Sequence, residues 1–296
     1  MKNPILLLLF ISLISCTGKS KQSDQSTEYS DEKMTQVKLE KAWMTDRVFL
    51  TPEAVLYDHE REVIYVANVN MNPWEKDGNG FISKIDLEGN IIELEWIKQL
   101  DGPKGMGISG NKLFVANIDE VVAIDIEAGK IIKRYPLERE NPALNDITVG
   151  DDGTVYISGS SAEAVLKLKD GNVEVLVEND LGRPNGLYFI PGKLFMLGSN
   201  SHQLSVIDLA THEIKKLTEN LGHGDGIVPD GKDGFFTSNW QGEIYHISPE
   251  WEANKLLDTK EEKINSADID YIIEKNLLLV PTFFDNKVMA YRVRFE

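Results

Sequence analysis

From Gln36 onward, short runs in which apolar and polar residues alternate recur along the whole chain. No long stretch keeps the three-to-four-residue spacing of an amphipathic helix. β-Branched and aromatic residues fill the runs, and Gly, Asn and Asp separate them, so the pattern predicts strands joined by turns. The strongest are Val63–Asn68 (VIYVAN), Lys112–Asn117 (KLFVAN), Thr154–Gly159 (TVYISG), Lys193–Gly198 (KLFMLG), Gly234–Asn239 (GFFTSN) and Leu277–Thr282 (LLLVPT). They return at a period of about 40 residues, the length of a four-stranded unit that cannot bury its faces alone and must stack on copies of itself.

Each unit opens with a turn-like cluster and a short strand: Pro52-Glu53-Ala54-Val55, Pro103-Lys104-Gly105-Met106, Leu144-Asn145-Asp146-Ile147, Pro184-Asn185-Gly186-Leu187, Gly224-Asp225-Gly226-Ile227 and Ser266-Ala267-Asp268-Ile269. Six openings predict an all-β, six-bladed β-propeller over residues 37–296. The sixth unit ends at Tyr291-Arg292-Val293-Arg294 with no residues left for its outer strand. The alternating segment Val37–Met44 is the only unassigned strand, and its addition to the last blade would close the ring and remove an open edge.

Charge and length narrow the partners. The 296-residue chain carries a formal net charge of −17, which disfavours nucleic acid and anionic lipid as ligands, since both are recognised by clustered Lys and Arg. Small molecules and cations remain, and a monomer is expected because a closed ring leaves no edge to pair. Before the repeats, Lys2, the apolar run Pro4 to Ile14 and the sequence Leu13-Ile14-Ser15-Cys16 predict a signal peptide over residues 1–15. The Leu-x-small-Cys sequence resembles a bacterial lipoprotein box, which makes Cys16, the only cysteine, a lipidation site. Residues 16–36, rich in Ser, Lys, Gln, Asp and Thr, read as a tether. The expectation is a protein of the bacterial cell envelope, on its periplasmic side or surface, touching the membrane through the lipid alone.

The repeat alignment also predicts an axial site. Innermost strands run beside the central channel, so the second residue of each opening converges there: Glu53, Lys104, Asn145, Asn185, Asp225 and Ala267. Asn, Asp and Gly make turns in any protein, but turn chemistry does not select Glu53. Two carboxylates and two amide carbonyls are the hard-oxygen set that suits a divalent cation, Ca²⁺ above others. Lys104 would bring a positive charge to the same channel, or be solvated or paired structurally. His223, two residues before Asp225, shares its face on an extended strand and can shuttle protons or be merely solvated. Trp240 is expected to pack against a blade, with pocket lining as the alternative.

Pro52-Glu53, Asn145-Asp146, Pro184-Asn185-Gly186 and Asp225-Gly226, in successive or near-successive blades, resemble the signature of the gluconolactonase and regucalcin (senescence marker protein) family. Ser238-Asn239-Trp240 is also similar to the related diisopropyl-fluorophosphatase and paraoxonase propellers. The resemblance spans the chain from about Val37 and implies a metal-dependent hydrolase of lactones or small esters. Glu53, Asn145, Asn185 and Asp225 would be metal ligands, and Asp225 general base or nucleophile. Asn145, Lys104 and His223 would contact substrate. Where lactonases of the family carry an Arg near the blade-three Asn, this chain has Ala143-Leu144, so the substrate stays open. A non-catalytic propeller that keeps a structural metal site and binds a ligand is the alternative function. Gly105-Met106-Gly107-Ile108-Ser109-Gly110 matches a dinucleotide-binding pattern but is followed by a strand rather than the helix that pattern needs.

Overall fold

The computed structural model describes residues Gln36–Glu296; residues 1–15, Cys16 and most of the tether lie outside them. Its 24 strands form six four-stranded antiparallel sheets, each built outward from the axis. The arrangement is a six-bladed β-propeller. Blades one to five span residues 52–100, 103–136, 144–178, 184–219 and 224–258, each four strands in chain order. Blade six orders Asp270–Ile272, Leu277–Pro281, Val288–Phe295 and, outermost, Val37–Met44.

The N-terminal strand therefore closes the ring as expected, pairing antiparallel with Val288–Phe295 from Val37 opposite Phe295 to Met44 opposite Met289. Hydrogen bonds in both directions between Gln36 and Glu296, at 2.9 and 2.8 Å, fasten the start of the N-terminal strand to the end of the last one.

Strands form where they do because each supplies one row of apolar side chains to each neighbouring blade. Tyr65 and Ala67 of blade one meet Leu113 and Val115 of blade two. The same kind of layer separates blades two and three, three and four, four and five, and five and six. The circle is completed by Val55, Ile64 and Val66 of blade one against Leu277, Leu279 and Val288 of blade six. Each fully buried Leu, Ile or Val in these layers contributes about 1.5–3 kcal/mol, and the middle strands supply most of them.

The inner strands are where regularity fails. In five blades the register with the second strand slips at the opening dipeptide: between Pro52 and Ala54, Pro103 and Met106, Leu144 and Ile147, Pro184 and Leu187, and Gly224 and Ile227. In blade six the opening Ser266-Ala267-Asp268-Ile269 does not join the ladder. The inner strand there is only Asp270–Ile272, because the segment before it turns toward blade one, where Asp268 bridges Ala54 in parallel and donates its backbone N–H to the Glu53 carbonyl at 2.8 Å.

Candidate functional site

The slips decide what faces the axis. A bulge adds residues to one strand and re-aims their side chains, and Glu53, Lys104, Asn145, Asn185 and Asp225 each sit inside one. All five are buried and line one cavity of about 560 Å³ at one end of the axis.

Three of the four oxygen-bearing residues are held by bonds that leave an oxygen free, and the fourth, Glu53, by its strand alone. The Asn185 amide donates from Nδ2 to Asp225 Oδ1 at 3.0 Å. The Asn145 amide donates from Nδ2 to Ser160 Oγ at 3.4 Å, and Ser160 in turn donates to the Pro184 carbonyl at 2.7 Å. Both amide groups are thus anchored through nitrogen, and their oxygens take no hydrogen bond from the described residues. Glu53 Oε2 is buried without any partner, one of three such side-chain atoms among the described residues. A buried acceptor left alone costs free energy unless something outside the chain satisfies it. The residues present fit a divalent cation: hard oxygens from four blades with one open position each. The described residues hold no cluster of three His, Cys, Asp or Glu side chains suited to a metal, as a set made half of amides requires.

Electrostatics point the same way. Burial pushes the Glu53 carboxyl well above its ordinary range, Lys104 opposes the shift, and Asp225 and Asp146 add to it. Burial likewise raises Asp225 to about 7, against the hydrogen bond from Asn185. Lys104 is neither solvated nor ion-paired within bonding distance. Its ammonium donates to the Pro73 and Gly102 carbonyls at 2.8 and 3.2 Å and lies 4.3 Å from the centre of the Trp74 ring. Burial brings it down to about 8, with Glu53 and Asp225 pulling the other way.

His223 reaches the cavity with a defined tautomer. Its Nδ1 faces the Ser199 carbonyl at 2.9 Å, and a carbonyl only accepts, so Nδ1 carries a proton and Nε2 is the nitrogen available to act as a base. His202 packs edge-on at 4.8 Å, its own Nδ1 on the Gly222 carbonyl. Trp240 departs from its expected packing role: it lines the cavity and stands edge-on to Phe283 and Phe284, each 5.8 Å away.

One layer down, the next residue of each opening makes a second ring: Ala54, Gly105, Asp146, Gly186, Gly226 and Asp268. Asp146 of blade three and Asp268 of blade six are carboxyl neighbours across the axis. Burial raises both above the ordinary carboxylate range, Asp146 to about 7, and for Asp268 the charges of Asp146, Glu53 and Asp225 add to the rise. Asp146 also accepts from the Ile147 and Leu187 N–H groups, both at 2.6 Å. The glycines make the room, since a Cβ on Gly105 would fall 2.2 Å from Asp146 Oδ1 and one on Gly226 2.6 Å from Asp268 Oδ1. Beyond the pair lies a separate cavity of about 180 Å³, walled by apolar residues of the inner strands.

The cavity walls contain residues that sequence reasoning missed. Trp74 and Pro73 come from the blade-one loop 69–79, Arg183 from the segment entering blade four, and Phe283 and Phe284 from a short 3₁₀ turn in blade six. None belongs to the repeat. The available signal was apolar pairs standing in loops, Pro73-Trp74 and Phe283-Phe284, where polar residues are the rule.

No protein-family model matches the sequence, and no curated protein matches it significantly. Solved structures do. A catalytically inactive virginiamycin B lyase from Staphylococcus aureus with quinupristin superposes with a TM-score of 0.63 at 13% identity, covering 87% of this chain and 99% of that one. A candidate gluconolactonase gives 0.61 at 15% identity over 88% and 93%. A chain of a nidogen/laminin complex gives 0.59 at 18% identity over 71% and 81%. At these identities the likeness is one of fold, and the fold is shared by a lyase and a chain of the nidogen/laminin complex alike.

Proposed function

We propose that the chain is a divalent-cation-dependent hydrolase of lactones or small esters, held at the cell envelope through a lipid on Cys16. The observation that carries the reading is the Glu53 carboxyl, one oxygen buried without a partner, in the wall of a cavity that Asn145, Asn185 and Asp225 also line. A structure similar to that of a candidate gluconolactonase supports it at the level of fold.

Glu53, Asn145, Asn185 and Asp225 would hold one cation, Ca²⁺ by the hardness of the donors. When bound, it supplies Lewis-acid polarisation of a substrate carbonyl. The chain's own groups do the proton work. Asp225, buried and aimed by the Asn185 amide, would accept the proton from attacking water. The water oxygen joins the acyl carbon, the acyl C–O bond breaks, and the proton passes from Asp225 to the departing alkoxide. His223 Nε2 is the second base within the cavity. Asn145 and Lys104 would orient the substrate oxygen, and the aromatic walls would exclude water.

A second reading has its own support. Lys104, beside Glu53 and Asp225, offsets part of the charge that draws a cation in, as suits a propeller that binds a neutral ligand without turnover. Metal analysis of purified protein decides, together with a lactone and ester panel run before chelation, after it, and with Ca²⁺ restored. Turnover that leaves and returns with the ion supports the hydrolase; bound ion without turnover supports the binding module. Asp225→Asn should lower kcat by at least about 10²-fold with the fold intact, and unchanged turnover would remove Asp225 from the mechanism. For the anchor, Cys16→Ser should release the protein from the membrane fraction.

A further inference from the structure

The cavity's rim specifies more than its floor. Trp74 stands on the loop 69–79 of blade one, and Arg183 belongs to blade four, the blade diametrically opposite in a ring of six. Yet the Arg183 guanidinium lies 5.9 Å from the centre of the Trp74 ring, so the loop arches over the mouth of the site. The main chain that carries Arg183 is held in place. Its backbone is in the left-handed region (φ 59°), fixed by its N–H on Glu163 Oε1 at 2.7 Å and by its carbonyl, which accepts from Ser199 at 2.9 Å. Among the described residues no carboxylate pairs with its guanidinium, although the chain carries a large excess of acid and its other cavity cation, Lys104, is spoken for by two carbonyls.

The part of the wall supplied by blades five and six is largely aromatic, Gln241 aside. Phe283 is buried, while Trp240 and Phe284 are 39% and 59% exposed and stand edge-on to one another. Exposed aromatics clustered at a cavity mouth mark a binding surface rather than a core. A polyhydroxylated ligand would leave its hydroxyls unpaired against this wall. A planar carboxylate is the group an unpaired guanidinium fork matches, because it accepts two parallel N–H bonds.

We propose that the site takes an amphiphilic anion: an ester or lactone with an aromatic or aliphatic body against Trp240, Phe283 and Phe284, and a carboxylate remote from the scissile bond on Arg183 beneath Trp74. This deepens the hydrolase reading and rests on it for the identity of the scissile group, but not for the recognition itself. Arg183 is then the specificity-determining residue of the cavity.

Binding tests it without turnover. The full chain, purified in a chelator so that no divalent ion competes for the carboxylate, is titrated calorimetrically with 4-phenylbutyrate and with its neutral isostere 4-phenylbutanamide. The carboxylate should bind about tenfold more tightly than the amide. Arg183→Gln should abolish that ratio while amide binding persists, which shows an intact cavity. Arg183→Lys should restore part of the ratio, and Phe284→Ala should weaken both ligands alike. Equal binding of carboxylate and amide, or a preference that survives Arg183→Gln, overturns the proposal. Preference for the anion in a protein that hydrolyses nothing would sink the hydrolase reading and leave this one standing; turnover of esters without regard to a remote carboxylate would do the reverse.

Discussion

Glu53→Gln should make the protein more stable without metal and leave it nearly deaf to Ca²⁺. In the metal-free protein Glu53 Oε2 is buried with no partner, and Asp225 and Asp146 crowd the same carboxyl. An unsatisfied buried acceptor costs about 1–3 kcal/mol, and more when charged. Glutamine keeps the shape and removes the charge. Lys104 loses one of its two carboxylate neighbours in exchange, which trims the gain to about 1 kcal/mol. In a chelator the melting temperature should then rise by about 2–4 °C for a domain of this size. With Ca²⁺ at about a hundred times its Kd, the wild type gains about 2.7 kcal/mol. If losing one carboxylate ligand weakens binding about a hundredfold, the same Ca²⁺ gives the variant only about 0.4 kcal/mol. The two proteins should exchange rank between chelator and Ca²⁺ in paired thermal melts. An equal Ca²⁺ shift in both, or a variant less stable in chelator, would refute the claim that this oxygen awaits a cation.

Four further outcomes follow from other parts of the ring. Gly186→Ala places a Cβ 2.2 Å from the Asp225 carbonyl oxygen; backbone cannot yield as a side-chain tip does, so urea unfolding should show a loss above about 3 kcal/mol. Gly110→Ala, at φ 56° with nothing within 4 Å, should cost only about 1 kcal/mol, from backbone strain alone. A chain beginning at Thr45 loses the strand that covers Val288–Phe295 and should aggregate through the bared edge, with light scattering as the readout. Asp230, buried, would be raised by that burial, yet hydrogen bonds from His246 Nε2 at 2.8 Å and from the Lys232 and Gly234 N–H groups depress it below its usual value. A depressed carboxyl stabilises above its unfolded pKa and loses that contribution as pH falls through the folded one. Asp230→Asn should therefore cost about 1–2 kcal/mol at pH 7, with the deficit shrinking below about pH 4. A deficit that does not change with pH counts against this assignment.

The blades were legible because their physics is periodic. Each middle strand, such as VIYVAN or KLFVAN, must be apolar on both faces to serve two neighbours, and that need recurs at every turn of the ring. Val37–Met44 could be placed on the last blade because one strand was missing there and one was spare. What periodicity could not give was blade six: its opening aligns in sequence with the others, but Asp268 leaves the ladder for Ala54 and Asp146. The rim was illegible for the opposite reason. Trp74, Arg183, Phe283 and Phe284 lie in connections whose lengths differ from blade to blade, so no alignment of repeats brings them together. Lys104 and Trp240 were visible but not their surroundings, and surroundings decide whether a cation is solvated or clasped and whether an indole packs or lines a wall.

The opening dipeptides tie the site to the fold more tightly than a list of ligands suggests. In blades two to five the register slip takes up two residues, and the pair divides its labour: the first side chain enters the cavity and the second sits in the layer beneath. That lower layer needs glycine in blades two, four and five because Asp146 and Asp268 occupy the space between them, and because the Asp225 backbone passes within van der Waals reach of Gly186. The room below thus fixes the depth at which Asn185 and Asp225 can sit, and the Asn185–Asp225 hydrogen bond then aims their remaining oxygens. A donor set placed by backbone packing rather than by rotamer choice would keep its geometry with or without an ion, as the proposed cation site requires.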